Sequence, residues 1–188
     1  MGIFRSKPVC LKTLVLGLDG AGKTTLLYKL RLKGAQADFQ PTKGFNYEQV
    51  TQRFQGLRYA LEIWDLAGRT ELRKCWRYFY NSMDVGVLIY VVSARDRGRL
   101  KESADEFRML RYETNMLSTN RVVVLNSFAV RDVDLALEVS LDELRHHFGD
   151  ETAVIPMNVR DPGHSMRTLF RWISEKHQAS RLAKSMVL

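Results

Sequence analysis

Residues 17–24, GLDGAGKT, satisfy the pattern G-x-x-x-x-G-K-[ST] and lie between an apolar β-type run and an amphipathic helical one. Strand, glycine-rich loop, helix is the order that lets a backbone wrap around phosphate. Glycines permit the tight turn, and successive N–H groups with the helix N-terminus then converge on an anion. Gly17, Leu18, Asp19, Gly20, Ala21, Gly22, Lys23, Thr24 and Thr25 are therefore the candidate nucleotide-binding residues of this loop. Lys23 can reach the β- and γ-phosphates, and the Thr24 hydroxyl can ligate Mg²⁺.

Hydrophobic periodicity extends this unit into an alternating β and α pattern. Residues 9–16 (VCLKTLVL) read as a buried strand, and 23–32 carry Leu26, Leu27 and Leu30 on one helical face. In 57–64, Leu57, Tyr59, Leu61 and Ile63 face one way, and Arg58, Ala60, Glu62 and Trp64 the other. Gln55 and Gly56 then form a hairpin turn from a strand at 45–54. Further strands are predicted at 85–92, 121–126 and 152–157. Helices are predicted at 99–117, at about 140–148 behind a Ser140/Glu143 capping box, and from 163 onward with Met166, Leu169, Phe170 and Ile173 inward. The expected fold class is α/β, a mostly parallel sheet with one antiparallel hairpin strand, flanked by helices.

A chain of 188 residues fits one domain, and no repeat or low-complexity tract marks a second. The longest apolar run, residues 85–92, is far short of the roughly 20 residues needed to cross a bilayer. Cys10 and Cys75 are too few and too distant for a disulfide framework or a zinc site, which points to a reducing compartment. The net charge of +8 gathers at the ends: Arg5, Lys7 and Lys12 stand without an acid in 1–12, and six basic residues face Asp161 and Glu175 in 160–188. Such ends form a solvated surface or attract anionic lipid. Aromatic residues are not interleaved with them, so nucleic acid is not an expected partner.

Four stretches in order, GLDGAGKTT, PTKGFN at 41–46, WDLAG at 64–68 and WRYFY at 76–80, resemble the Arf and Arf-like branch of the Ras superfamily of small GTPases. The resemblance covers residues 11–178 and implies a P-loop small-GTPase fold with six strands. It divides the chain into a lipid-modifiable segment at 1–10, the GTPase domain at 11–178 and a basic tail at 179–188. Carried over by position, it makes Thr42 the switch ligand that closes onto Mg²⁺ and the γ-phosphate, has Asp65 hold Mg²⁺ through water, and makes the Gly68 amide the γ-phosphate sensor. Phe45, Trp64 and Phe79 fall where the family presents an aromatic triad to effectors; core packing is the competing reading for Phe79, which shares a helical face with Leu72 and Trp76.

Three features depart from that pattern or extend it. Arg69 stands where the family has the glutamine that orients the attacking water; with five donors and no acceptor it cannot do that task. A surface or nucleotide-retaining role is one reading of Arg69, and a catalytic charge clamp is the other. The guanine-reading motif N-K-x-D is degraded: Asn126 stands at the Asn position, Ser127 and Ala129 take the Lys and Asp places, a one-residue shift offers only Val130, and Asp132 or Asp134 reach the base only through an altered loop. The start MGIFRS fits M-G-x-x-x-[ST], making Gly2 a candidate for myristoylation. One acyl chain binds weakly, so Arg5, Lys7 and Lys12 would supply the second membrane signal, with Cys10 either a further acylation site or a core residue.

The function these readings imply is a GTP/GDP-binding, Mg²⁺-dependent regulatory switch with impaired hydrolysis, recruiting effector proteins in membrane trafficking. The expected location is cytoplasmic and peripherally membrane-bound, at the Golgi or another endomembrane, and the expected state is a monomer. The alternative is a pseudo-GTPase interaction module that presents the switch surface with nucleotide structural or absent. A P-loop enzyme acting on another nucleotide is disfavoured, because no substrate-binding insert or second catalytic motif is present.

Overall fold

A computed structural model describes residues 7–31, 42–127 and 138–185. Six strands, β1 (Val9–Leu16), β2 (Phe45–Phe54), β3 (Leu57–Leu66), β4 (Val87–Ser93), β5 (Asn120–Asn126) and β6 (Ala153–Met157), form one sheet in the order β2-β3-β1-β4-β5-β6. Only the β2–β3 pair is antiparallel; β1 pairs in parallel with both β3 and β4, and β5 joins β4 to β6. The helices are α1 (Lys23–Arg31), α2 (Thr70–Arg73), α3 (Trp76–Ser82), α4 (Leu100–Tyr112), α5 (Leu141–Phe148) and α6 (Gly163–Ser185). No helix among the described residues is long and apolar enough to cross a membrane.

Period-two alternation of the central strands builds two cores, one on each face of the sheet. Val15, Ile89, Val91 and Val124 face Leu26, Leu27 and Leu30 of α1 and Leu169, Phe170 and Ile173 of α6. Leu14, Leu88, Tyr90 and Val123 face Trp76 of α3, Phe107 of α4 and Leu144 of α5. Each fully buried aliphatic side chain contributes about 1.5–3 kcal/mol, so this two-sided burial fixes register as well as stability. Gln55 and Gly56 take positive φ of 48° and 78°, closing the predicted hairpin without splaying its strands. At α5 the Ser140 side chain accepts from the Glu143 N–H at 3.1 Å, as its capping position requires.

Several predicted boundaries move, most of them by one residue. The helix expected to run to 117 stops at Tyr112: Glu113 is extended (φ −69°, ψ 124°), and a 3₁₀ turn over Thr114–Met116 follows. Tertiary anchoring wins over helical propensity there, since Tyr80 donates to Glu113 at 3.0 Å and Met116 is fully buried. The fourth strand begins at Val87 rather than 85, the Gly86 N–H donating to Lys12 O at 3.0 Å. Cys10 is exposed, so the core reading of that residue is set aside; its neighbours Val9 and Leu11 are partly buried against the core, and full burial on β1 begins at Thr13. Gly2 and Arg5, and Ala129, Val130, Asp132 and Asp134 of the base-reading stretch, lie outside the described residues.

Candidate nucleotide site

The loop between β1 and α1 sits where β1 separates crossovers to β3 on one side and β4 on the other, the place where open α/β sheets bind ligands. Gly17 holds φ 138°, and a Cβ there would lie 2.2 Å from Val91 O, so no other residue fits. Lys23, 6% exposed, folds back over the loop, its ammonium donating to Gly17 O at 3.0 Å and Leu18 O at 2.8 Å. Burial pushes its pKa down to about 8, against the opposing pull of the Asp65 and Asp19 carboxylates. A cation held this way among backbone groups is matched to an incoming phosphate charge.

Thr24, Thr42 and Asp65 come from three elements and meet at one point. Thr24 Oγ1 donates to Asp65 Oδ2 at 2.6 Å and lies 2.9 Å from Thr42 Oγ1. Thr42 Oγ1 is 3.5 Å from the same carboxylate oxygen. Asp65 is fully buried; desolvation raises its pKa despite the Thr24 bond and the Lys23 charge, and its Oδ1 has no hydrogen-bond partner. Two hydroxyls, a carboxylate and an orphaned buried oxygen suit a hard cation such as Mg²⁺. Among the described residues no cluster of three or more His, Cys, Asp or Glu gathers, so a cation here would share its coordination with ligand phosphates and water. Asn46, which the sequence reading did not single out, donates to Thr42 Oγ1 at 3.3 Å and Asp65 Oδ2 at 3.2 Å and orients both.

Gly68 packs directly on the phosphate loop. A Cβ at this position would sit 2.3 Å from Gly17 O and 2.6 Å from Asp19 N. Its carbonyl accepts from Asp19 N at 3.2 Å and from Arg73 Nε at 2.8 Å. Arg73 was likewise not foreseen: it is 7% exposed and anchored to Glu102 at 2.6 Å and Glu106 at 3.1 Å on α4. Arg99 reaches the loop from the start of α4, donating to Asp19 Oδ1 at 2.8 Å. Arginines separated by long stretches of chain thus brace the Gly68 peptide and the loop, a relation no local pattern encodes. Arg69, the next residue, is exposed and caps α2 only through its backbone, its side chain making no capping bond.

Asn126 is fully buried at the end of β5. Its Nδ2 donates to Ala21 O at 2.9 Å and its Oδ1 accepts from Val159 N at 3.2 Å, which ties the phosphate loop to the segment after β6. Both ends of its amide therefore meet protein, which braces the loop, and each end keeps one further donor or acceptor site. Away from the loop, Phe45 is 56% exposed and meets Phe79 edge-on at 5.3 Å, and Tyr47 meets Trp64 at 5.0 Å. Trp64 and Phe79 are half-buried against the core below. The three predicted aromatics share one surface, and the structure adds Tyr47 to it.

The model of the ADP-ribosylation factor family matches residues 3–177. Among curated proteins, the chain is similar to ADP-ribosylation factor-like protein 1 of Drosophila melanogaster, with 40% identity over 75% of this chain and 72% of the relative. The protein of the same name from Caenorhabditis elegans shares 31% identity over 96% of this chain and 95% of its own length. That from Saccharomyces cerevisiae shares 35% identity over 72% of both chains.

Proposed function

The chain belongs to the ADP-ribosylation factor family, which carries a GTP-binding regulatory role in trafficking, and we propose that this member is a switch with impaired hydrolysis that recruits effectors at a membrane. The observation that carries the proposal is the convergence of Thr24, Thr42 and Asp65 beside Gly68, with Arg69 as the next residue. Those groups would hold the triphosphate end, and Thr24, Thr42 and, through water, Asp65 would hold Mg²⁺ there. Bound Mg²⁺ would neutralise phosphate charge; Lys23 and the loop N–H groups orient the phosphates, and Gly68 senses the last of them. The surface of Phe45, Tyr47, Trp64 and Phe79 is where an effector would dock, since exposed aromatic clusters mark partner sites.

A second reading has its own support. Ser127 and Ala129 stand after Asn126 where the family has the lysine and aspartate that read the base, which favours an interaction module that selects its base weakly. Denaturing the purified protein and identifying the released nucleotide, together with thermal shifts in GTP, GDP, ATP and ADP with and without Mg²⁺, separates the two. The switch reading expects a Mg²⁺-dependent stabilisation by GTP; no shift with any of the four sinks it.

Membrane attachment through myristoylated Gly2 and the neighbouring basic residues completes the proposal, placing the protein as a peripheral component on the cytoplasmic face of an endomembrane. Gly2→Ala is expected to move most of the protein from the membrane pellet to the soluble fraction, because basic residues alone leave only an electrostatic attraction. Equal recovery of both forms in the pellet would remove the lipid anchor.

A further inference from the structure

The parallel strands place the start of β5 and β6 at the end of the sheet opposite the phosphate loop, the same end as Val9 at the start of β1. Between those strand starts, the end of α4 and the middle of α6 lies a cavity of about 210 Å³. Arg111 enters it from α4, Arg121 from β5 and Lys176 from α6, with Trp172 forming part of its wall and Glu151 the single carboxylate on its lining. Glu151 is 64% exposed and pairs with Arg111 at 2.6 Å, so the acid sits at the rim and answers one cation of the three.

Arg121 is the unusual member. One of its terminal nitrogens donates to Met116 O, while its Nε is buried and has no hydrogen-bond partner. No described carboxylate is in ion-pair range of it, and the charge nearest to it in effect is Arg111, another cation. Burial, reinforced by Arg111, pulls its pKa below the ordinary guanidinium value. A guanidinium with a dry, unsatisfied donor is unfavourable unless an anion joins it. The planar fork of arginine matches the oxygens of a phosphate, and a second guanidinium with an ammonium supplies the remaining charge.

We propose that the cavity bounded by Arg111, Arg121, Lys176 and Trp172 is a second anion site, which takes a phosphomonoester dianion at the end of the molecule remote from the nucleotide loop. The ester can be a lipid headgroup or a soluble compound. Asn120 lines both this cavity and an adjoining groove of about 580 Å³ that runs to Cys10 and Lys12 on β1, so a headgroup bound here would lie on the face that carries Lys12. The site does not depend on the identity or hydrolysis of the nucleotide.

The test uses the full-length protein, with inositol trisphosphate as the soluble probe in calorimetric titration. Phosphatidylcholine vesicles with or without phosphatidylinositol bisphosphate are the membrane probe in sedimentation, and phosphatidylserine vesicles of equal charge are the control. Wild type is expected to bind inositol trisphosphate, and Arg121→Leu and Lys176→Ala are each expected to weaken it by about 10-fold or more, the usual loss for a charge-assisted hydrogen bond. Lys176 is exposed on α6, so its variant keeps the test meaningful if Arg121→Leu does not fold. At least about 10-fold tighter capture by the bisphosphate vesicles than of the free probe assigns a lipid headgroup; equal affinities assign a soluble ester. Absence of binding to both probes, variants that bind like wild type, or phosphatidylserine vesicles that do as well as the bisphosphate would each overturn the site. GTP-induced thermal shifts of the same variants, expected to match wild type, keep this result separate from the fate of the switch reading.

Discussion

Lys23→Met is expected to abolish nucleotide binding while leaving the nucleotide-free fold as stable as wild type, or more so. Methionine keeps the length and bulk of the lysine stem and removes its charge. In wild type that charge is buried and its pKa is displaced from 10.5 to about 8, so the ligand-free fold carries it at a cost. Between those two values the unfolded chain binds more protons at this position than the folded one, and stability therefore rises with pH from about 8 toward the ordinary lysine range. The methionine variant should lack that rise. Nucleotide at about 100 times its dissociation constant stabilises a protein by about 2.7 kcal/mol, roughly 5–10 °C in a domain of this size, and the variant should lose this shift entirely. Melting curves with and without GTP and Mg²⁺, taken across the pH range, check both halves. A variant that still shifts with GTP would show that the ammonium is not the phosphate contact.

What was legible in the sequence follows the range of each signal. Val9–Leu16, the Gln55-Gly56 hairpin and the inward faces of α1 and α6 rest on local periodicity and turn chemistry, and these fall where the alternation puts them. The phosphate loop was legible because its glycines, lysine and threonine are consecutive. Asn46, Arg73 and Arg99 were not, because each acts on a residue distant in sequence: Asn46 on Asp65, Arg73 on Glu102 and Glu106, Arg99 on Asp19. Arg73 in particular reads as one more exposed charge in a basic chain, yet it is buried beneath Gly68. The end of α4 was missed for the same reason, since burial of Met116 and the Tyr80–Glu113 bond decide it and neither is a property of the helix itself.

Arg69→Gln is expected to raise GTP hydrolysis by about 10-fold or more over wild type, measured as phosphate release in a single turnover with Mg²⁺. The expectation rests on what surrounds the residue. Gly68 is pinned to the phosphate loop through Asp19 and braced by Arg73, and Thr24, Thr42 and Asp65 are already gathered, so the frame that would hold a γ-phosphate is in place. An attacking water needs a neighbour that can accept as well as donate; glutamine offers both, and a guanidinium offers donors alone. Arg69 is exposed and its side chain makes no capping bond to α2, so replacing it disturbs no packing and the variant should melt as wild type does. Its effect is then on the reaction. A fall in rate would mean that the guanidinium stabilises charge in the transition state, which reverses the assignment of impaired hydrolysis to this position. If both proteins bind GTP and neither cleaves it, the water-positioning defect is not the limiting one; the altered base segment, with Ser127 and Ala129 in the lysine and aspartate places, then carries the explanation, and the interaction module becomes the better account of the chain.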